Sequence, residues 1–345
     1  MSGRSVHLVG SYPADDARQA MTAAVRAAGP RLRTLADGEV GERRNWVMNI
    51  IDGFRDHPDV ELRRDGDWSG YGETPVFRVK RGHRLTADAL RLRHARDAET
   101  SFAEFTKIRA DHGLDGLAFQ VGIPGDLDLA LFAFGPARAL ARRGAFREAL
   151  AREIGEIAAW GGREVLFQLE YPVELVMAAS APAPLRPPVA RFLARGMARP
   201  AAAAPPGTRF GVHLCVGDLN HRALKRLAST APLVALTRAL LRAWPDGRPL
   251  EYVHVPLASG DAPPTLDTAF YQDLKRLRTM PRDVRFIAGL VHPAQDVEDQ
   301  RHVLRTVETL LGRTADVSSP CGLGRSSPAE AEQALTRAAA LAALT

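Results

Sequence analysis

The 345-residue sequence has little cysteine, little lysine and no long apolar run. No stretch approaches the ~18 apolar residues of a membrane-spanning helix. The most apolar candidate, residues 233–244, is interrupted by Arg238 and Arg242. The first sixteen residues also lack the apolar core of a signal peptide. We therefore expect a cytoplasmic protein with no membrane partner.

The 46 basic residues are nearly all arginine, and lysine occurs only at positions 80, 107, 225 and 275. The arginines are scattered beside Asp and Glu, without a basic run or interleaved aromatic residues. The net charge of +6 therefore does not predict a nucleic-acid partner. The two cysteines, Cys215 and Cys321, do not predict a structural disulfide in a cytoplasmic protein. No GxGxxG or GxxxxGK[ST] motif follows a predicted strand, so the usual nucleotide-binding signatures are absent.

What is present is a regular alternation of strands and helices. Hydrophobic residues make up 46% and charged residues 25%, as in a globular protein with a sizeable core. Each predicted strand is followed by a helical pattern, which indicates a parallel sheet. Eight such units predict an α/β fold with a single (β/α)8 TIM barrel domain over residues 1–345, with an open doubly wound sheet as the alternative. The predicted strands are 6–10, 32–36, 116–121, 164–169, 209–215, 250–255, 285–291 and 316–319.

Two segments depart from this alternation. Residues 61–83 contain Gly, Asp and alternating Val and Phe, which predicts an inserted hairpin. Residues 178–207 are dominated by Ala and Pro, which predicts a long surface crossover or lid with one short helix around 189–197. The crossover is followed by a strand, and residues 219–244 then predict one long helix.

Unusual polar residues gather where the predicted strands end, which is where a TIM barrel carries its active site. His213 and Cys215 are two apart on one strand, so their side chains point to the same side. Closure of the barrel brings Cys321, at the end of the last strand, to the same point. Two thiolates and an imidazole are ligands that zinc prefers. The alternative is two buried cysteines beside a hydrogen-bonded histidine.

The next strand offers two candidates for a fourth ligand, Glu251 and His254. They are three residues apart, so they face opposite sides of the sheet. His254 is nearer the carboxyl end of the strand and is the predicted ligand. Its alternative is a substrate contact or a packed histidine beside the site.

The remaining strand-end polar residues predict a substrate site. The carboxylates of Asp37, Glu39 and Glu170 can hold the ammonium group of an amino-acid thiol, and Arg43 can hold a carboxylate. The alternatives are a turn at Asp37 and an ion pair of Arg43 with Glu39 or Glu42. Two further strand-end residues, Ser11 and Gln120, complete the predicted substrate contacts.

Together these segments resemble the cobalamin-independent methionine synthase superfamily, the zinc thiol-alkyltransferases. The resemblance lies in GSYP at residues 10–13, HLC at 213–215, GLVH at 289–292 and CGL at 321–323. Three more segments are similar to a bacterial subgroup of single-barrel homologues: DGEVGER at 37–43, VHVP at 253–256 and CGLGR at 321–325. The resemblance implies a zinc-binding (β/α)8 barrel.

The resemblance also assigns roles. It implies that His213, Cys215 and Cys321 bind Zn2+ and that His292 donates or relays a proton, with a structural hydrogen bond as the alternative for His292. The family takes a fourth ligand, a glutamate, from the sixth strand, where this sequence has His254. Common methionine synthases have two barrels, whereas this chain has one and no recognisable pterin-polyglutamate site, so methyltetrahydrofolate is not the expected donor.

The function implied is zinc-dependent activation of a small-molecule thiol for methyl or alkyl transfer from an alkyl donor. Two other classes stay open. One is a zinc hydrolase or lyase that acts through a metal-bound water, without a thiol cosubstrate. The other is a non-catalytic role for a degenerate barrel. Fold alone does not decide among them, and the sequence does not predict the oligomeric state.

Overall fold

A computed structural model describes residues 3–344, apart from the side chain of Trp46, and contains the predicted barrel. Its eight parallel strands follow the order β1-β10-β9-β8-β7-β6-β5-β2 around one sheet. A parallel bridge between Val6 and Leu32 links the two edges and closes the barrel. The strands are β1 (Val6–His7), β2 (Thr34–Ala36), β3 (Val60–Arg64), β4 (Val76–Val79), β5 (Ala118–Pro124), β6 (Val165–Tyr171), β7 (Arg209–Leu214), β8 (Leu250–Pro256), β9 (Arg285–Gly289) and β10 (Asp316–Ser318).

Helices surround this sheet and cover its outer face. They are α1 (Ala17–Ala28), α2 (Trp46–Asp52), α3 (His94–Asp111), α4 (Asp126–Phe134), α5 (Pro136–Gly161), α6 (Pro172–Ser180), α7 (Arg186–Met197), α8 (Arg199–Ala203), α9 (Ala231–Ala243), α10 (Val297–Leu311) and α11 (Pro328–Ala342). The helical position between β8 and β9 is taken by a 3-10 helix, Thr268–Leu277. Among residues 3–344, no helix has the length and apolar character needed to cross a membrane. The prediction of a (β/α)8 TIM barrel is confirmed.

The inserted hairpin is also confirmed: β3 and β4 pair antiparallel and form a separate two-stranded sheet. The turn between them reaches the loop that follows β7. The carbonyl oxygen of Trp68 accepts a 2.9 Å hydrogen bond from Asn220 Nδ2, and the Tyr71 hydroxyl accepts a 3.0 Å bond from the Leu219 amide. The insertion therefore covers part of the barrel mouth.

The prediction for residues 178–207 is confirmed in part. The segment connects β6 to β7, and the helix predicted around 189–197 lies within α7, but most of the remaining segment is helical as well. On α7, the side chains of Ala190, Leu193, Ala194 and Met197 are buried. Their spacing of three and four residues forms an apolar stripe along one face of the helix. The segment therefore packs as part of the helical layer and is not a lid.

The long helix predicted over 219–244 is also wrong, because helix α9 begins only at Ala231. The preceding residues form an irregular loop, in which Asn220 and His221 have φ angles of 53° and 59°. These left-handed conformations interrupt a helix. The predicted strands 6–10 and 285–291 end early, because residues 8–10 and 290–291 lie in loops. The following residues, Ser11 and His292, are therefore held by loops at the mouth.

Candidate metal and substrate site

Three potential metal ligands meet at the carboxyl ends of β7 and β10. The ligand atoms of His213, Cys215 and Cys321 all lie within 4.8 Å of one another. His213 is in β7, Cys215 directly follows it, and Cys321 is three residues beyond the end of β10. His213 and Cys215 are buried, and Cys321 is partly exposed toward the mouth. The predicted convergence of these three residues is therefore what the structure shows.

The distance between the two sulfur atoms fits tetrahedral coordination of one metal ion. The Sγ atoms of Cys215 and Cys321 are 3.7 Å apart. Two thiolates bound to zinc at ~2.3 Å with tetrahedral angles would be separated by ~3.8 Å. A hydrogen bond with Cys215, together with burial, raises the pKa of the Cys321 thiol well above its usual range. A bound cation would reverse that effect, because it stabilises the thiolate. The donor set present therefore fits zinc.

His254 and Glu251 lie on opposite faces of β8, as the strand periodicity predicts. Glu251 forms an ion pair with Arg209 outside the barrel. The His254 side chain is fully buried in the interior, and its Nδ1 atom is 2.7 Å from Nδ1 of His213. His254 Nε2 is 3.0 Å from the carbonyl oxygen of Ser319. Both ring nitrogens of His254 are thus engaged by protein atoms, and its role as a zinc ligand stays a prediction.

The two histidines are held in their neutral forms. Burial, and then the neighbouring His254, lower the pKa of His213 well below its usual range. Burial lowers the pKa of His254 to about 4, against the opposing effect of the hydrogen bond to Ser319. Neutral imidazole is the form that binds a metal ion.

Two carboxyl side chains converge beside this cluster. A β-carbon placed on Gly122 would lie 2.6 Å from Glu39 Oε1 and 3.1 Å from Glu170 Oε1, so the two carboxyl groups lie close together against this glycine. Burial raises the pKa of Glu170 to about 8. Burial, and then the charges of Glu170 and Asp37, raise the pKa of Glu39 well above its usual range. The guanidinium of Arg325 offsets part of both shifts. A cationic ligand would stabilise the ionised pair.

Asp37 and Arg43 pair with each other. A guanidinium nitrogen of Arg43 donates to Asp37 Oδ2, and the Glu39 amide donates to Asp37 Oδ1 at 2.9 Å. Arg43 Nε is also 3.7 Å from a carboxylate oxygen of Asp97. Arg43 therefore pairs with Asp37 and Asp97, and not with Glu39 or Glu42. These contacts fix the Glu39 backbone, and a direct substrate contact of Asp37 or Arg43 stays a prediction.

Ser11 and Gln120 occupy different positions. Ser11 lies against the loop after β10, and its Oγ atom accepts a 3.3 Å hydrogen bond from the Gly324 amide.

Gln120 is buried in the barrel. Its amide nitrogen donates to the carbonyls of Leu8 and Val9, and its oxygen accepts from Thr34 and Tyr252. The structure thus places Ser11 beside the Cys321 loop, while the polar atoms of Gln120 are occupied away from the mouth.

His292 lies in the loop after β9 and is mostly buried. The Ala294 amide donates to His292 Nδ1 at 3.1 Å, so the ring proton of the neutral form is on Nε2. Nε2 is 3.4 Å from the Gly260 carbonyl oxygen, a long distance for a hydrogen bond. Burial lowers the pKa of His292, and the contact with Gly260 opposes this effect. The loosely held Nε2–H is the group available to a ligand.

Sequence reasoning missed two residues that support the site. Gln168 donates from Nε2 to Glu170 Oε1 at 2.9 Å and so orients that carboxyl group. It lies two residues before Glu170 on β6, a spacing that places both side chains on the same face and could have identified it. Arg325 is 3.3 Å from a carboxylate oxygen of Asp218 at the mouth. Arg325 is the last residue of the CGLGR segment, whose only signal in the sequence was its similarity to the bacterial subgroup.

No protein-family model and no curated protein sequence matches the chain. Solved structures do match its fold. A B12-independent methionine synthase from Shewanella sp. W3-18-1, in complex with selenomethionine, has a TM-score of 0.63 and 13% identity, covering 98% of this chain and 96% of its own. A methyltransferase from Methanosarcina mazei has a TM-score of 0.56 and 14% identity, covering 99% of this chain and 94% of its own. The chain therefore shares the barrel fold of these two structures over nearly its whole length.

Proposed function

We propose that this protein is a zinc-dependent transferase that activates a small-molecule thiol for methyl or alkyl transfer. The observation that carries the proposal is the convergence of His213, Cys215 and Cys321 at the barrel mouth, with the two sulfurs 3.7 Å apart. The names of the two similar structures, a methionine synthase and a methyltransferase, support the same class of reaction.

Three protein ligands suit a catalytic zinc ion, which keeps one position for substrate. Zinc bound there would lower the pKa of a substrate thiol, ordinarily near ~8.5 or above, so that the sulfur is held as a nucleophilic thiolate. Two cysteine ligands reduce the net charge at the site, which keeps the substrate sulfur reactive.

Glu39 and Glu170 would bind the ammonium group of an amino-acid thiol such as homocysteine or cysteine. Both carboxyl groups lie close together against Gly122, and both have a raised pKa because they are buried and have too little positive charge nearby. An ammonium group bound by both carboxylates would supply the missing charge. The bound selenomethionine of the Shewanella enzyme, an amino acid with an alkylated side-chain selenium, supports this substrate class.

His292 would protonate the leaving group of the alkyl donor. Its Nε2 atom is 3.4 Å from the Gly260 carbonyl oxygen, a weak contact that a ligand at the mouth could replace. Imidazole titrates near ~6.5 and can donate or accept a proton close to neutrality. The lowered pKa of His292 means that the donating, protonated form accumulates mainly below neutral pH.

The test is metal analysis followed by a panel of thiols. We expect about one zinc per chain and transfer of a methyl group from a simple electrophile, such as methyl iodide, to homocysteine at a rate that depends on zinc. Removal of zinc by a chelator and re-addition should abolish and restore the rate. Turnover of other substrates without a thiol would indicate the hydrolase or lyase instead. Zinc binding without thiol binding would indicate a non-catalytic barrel.

A further inference from the structure

Two buried histidines form a hydrogen-bonded pair across neighbouring barrel strands. His213 on β7 and His254 on β8 are register partners, and their side chains have relative exposures of 1% and 0%. Their Nδ1 atoms are 2.7 Å apart. On its other side, His254 Nε2 is 3.0 Å from the carbonyl oxygen of Ser319. The pair thus connects β7 to the loop that carries Cys321.

The direction of these hydrogen bonds follows from the carbonyl group. A carbonyl oxygen only accepts, so His254 Nε2 must carry a proton and donate it to Ser319. A neutral imidazole has one ring proton, so His254 Nδ1 has a lone pair and accepts. The proton between the two rings therefore belongs to His213 Nδ1, and the lone pair of His213 is on Nε2. Among the described residues, no hydrogen bond involves His213 Nε2.

We propose that His254 is a positioning residue that holds His213 in the tautomer with a free Nε2 lone pair, and that it is not itself a zinc ligand. The proposal rests on the proposed zinc site. It assigns to His254 a different task from the ligand role predicted from the sequence, because both of its nitrogens already have partners. In metal sites, a group that accepts a hydrogen bond from the N–H of a ligating histidine fixes both the orientation and the tautomer of that histidine.

The hydrogen-bonded histidine pair is also connected to the loop that carries Cys321. Ser319, whose carbonyl oxygen accepts the hydrogen bond from His254 Nε2, is two residues before Cys321. Ser319 Oγ in turn donates to the Cys321 carbonyl at 2.7 Å. His254 therefore sets the position of His213 relative to the Cys321 loop. Gly289 makes room for the ring, because a β-carbon there would lie 2.8 Å from His254 Nε2 and Cε1.

The first experiment uses the metal-free wild-type chain. Long-range proton–nitrogen correlation spectra report the tautomer of each histidine, and the signals are assigned by their loss in His213→Gln and His254→Gln. We expect His213 to carry its proton on Nδ1 and His254 on Nε2. The opposite tautomer at either ring would overturn the proposal. This result does not depend on whether the protein proves to be a transferase.

The second experiment measures zinc affinity by competition with a chelator in two variants. In His254→Gln, the amide oxygen can accept from His213 and the amide nitrogen can donate to Ser319, so we expect affinity within about threefold of wild type. His254→Leu lacks both groups and should bind zinc about 10–100-fold more weakly. Equal, larger losses in both variants would mean that His254 is a ligand, which overturns the proposal.

X-ray absorption of the zinc-loaded wild type gives a check that needs no variant. We expect two sulfur ligands and one imidazole. Two imidazoles would contradict the positioning role. If the wild type binds no zinc at all, the proposed function fails. The tautomer spectra still decide whether His254 holds His213 in the stated tautomer.

Discussion

Glu39 and Glu170 bring their carboxyl groups together against Gly122, close to the position that a β-carbon there would occupy. That position is 2.6 Å from Glu39 Oε1 and 3.1 Å from Glu170 Oε1. Two buried acids so placed repel each other when both are ionised, which costs free energy unless a cation joins them. The arrangement therefore favours a cationic ligand bound by both carboxylates.

Gly122→Ala tests this relationship. The added methyl group would displace the two carboxyl groups, so we expect homocysteine to bind at least about tenfold more weakly, as for loss of a charged hydrogen bond of ~1.5–3 kcal/mol. Affinity for 4-mercaptobutyrate, which lacks the ammonium group, should change by less than about twofold, and zinc content should not change. Titration calorimetry of the zinc-loaded protein measures both affinities.

The matched control is Gly116→Ala, since a β-carbon at Gly116 would contact nothing within 4 Å. This variant should bind both thiols as the wild type does. An equal loss of affinity for homocysteine and 4-mercaptobutyrate in Gly122→Ala would remove the carboxyl pair as an ammonium site.

Cys215→Ser and Cys321→Ser should each lose most of the bound zinc, because each removes one of the two thiolate ligands. Elemental analysis of the purified variants measures this directly. His302→Ala, which removes an exposed imidazole from α10, serves as the control and should retain about one zinc per chain. A full equivalent of zinc in both cysteine variants would show that the metal site lies elsewhere.

A second buried acid pair predicts a pH dependence of stability. Asp128 and Glu174 are both about 1% exposed, and burial followed by the charge of Glu174 raises the pKa of Asp128 well above its usual range. Burial, with the nearby Asp126, raises the pKa of Glu174 to about 7. The folded state thus binds more protons than the unfolded state between about pH 4.5 and 7. The free energy of unfolding should fall as pH rises through this window.

Glu174→Gln replaces the acid with a group that does not titrate. Between pH 5 and pH 8, the free energy of unfolding should fall less steeply in the variant than in the wild type. The two slopes should differ by up to about 1.4 kcal/mol per pH unit at the steepest point. Urea unfolding across this range provides the measurement, with the exposed Glu99→Gln as the control. Parallel curves for Glu174→Gln and wild type would place the titration on another group.

The sequence was sufficient to predict the barrel and the three-residue cluster, because both follow from simple periodicities. Alternation of strands and helices fixes the order of the sheet, and the two-residue repeat of a strand places His213 beside Cys215. The same repeat correctly separates Glu251 from His254. Residue pairs on neighbouring strands, such as His213 with His254, depend on register, which the strand pattern alone does not specify.

The predictions that the structure does not support failed for local physical reasons. Alanine-rich α7 resembles a low-complexity linker in composition, yet its apolar residues recur every three or four positions and pack as a helix. At Asn220 and His221, two left-handed residues keep the preceding segment out of helix α9. Pro232 in the first turn of α9 marks the true start of the helix, a signal that the predicted long helix did not use. Gln120 lies at a predicted strand end, but its partners Thr34 and Tyr252 come from strands distant in sequence. Only the folded barrel shows that they occupy its polar atoms.

His292→Ala should separate acid catalysis from metal binding. Since no described hydrogen bond links His292 to the cysteine cluster, zinc content should stay at about one per chain, while turnover falls by about 10²–10⁴-fold, the usual contribution of a positioned acid or base. A donor whose leaving group has a low pKa needs no proton, so its rate should largely recover. The lowered pKa of His292 also predicts the direction of the pH dependence. With a poor leaving group, the wild-type rate should rise as pH falls below neutrality, because the protonated, donating form of His292 accumulates there. The variant should lose this rise. Equal losses with good and poor leaving groups would leave His292 a structural residue, held by Ala294 and Gly260.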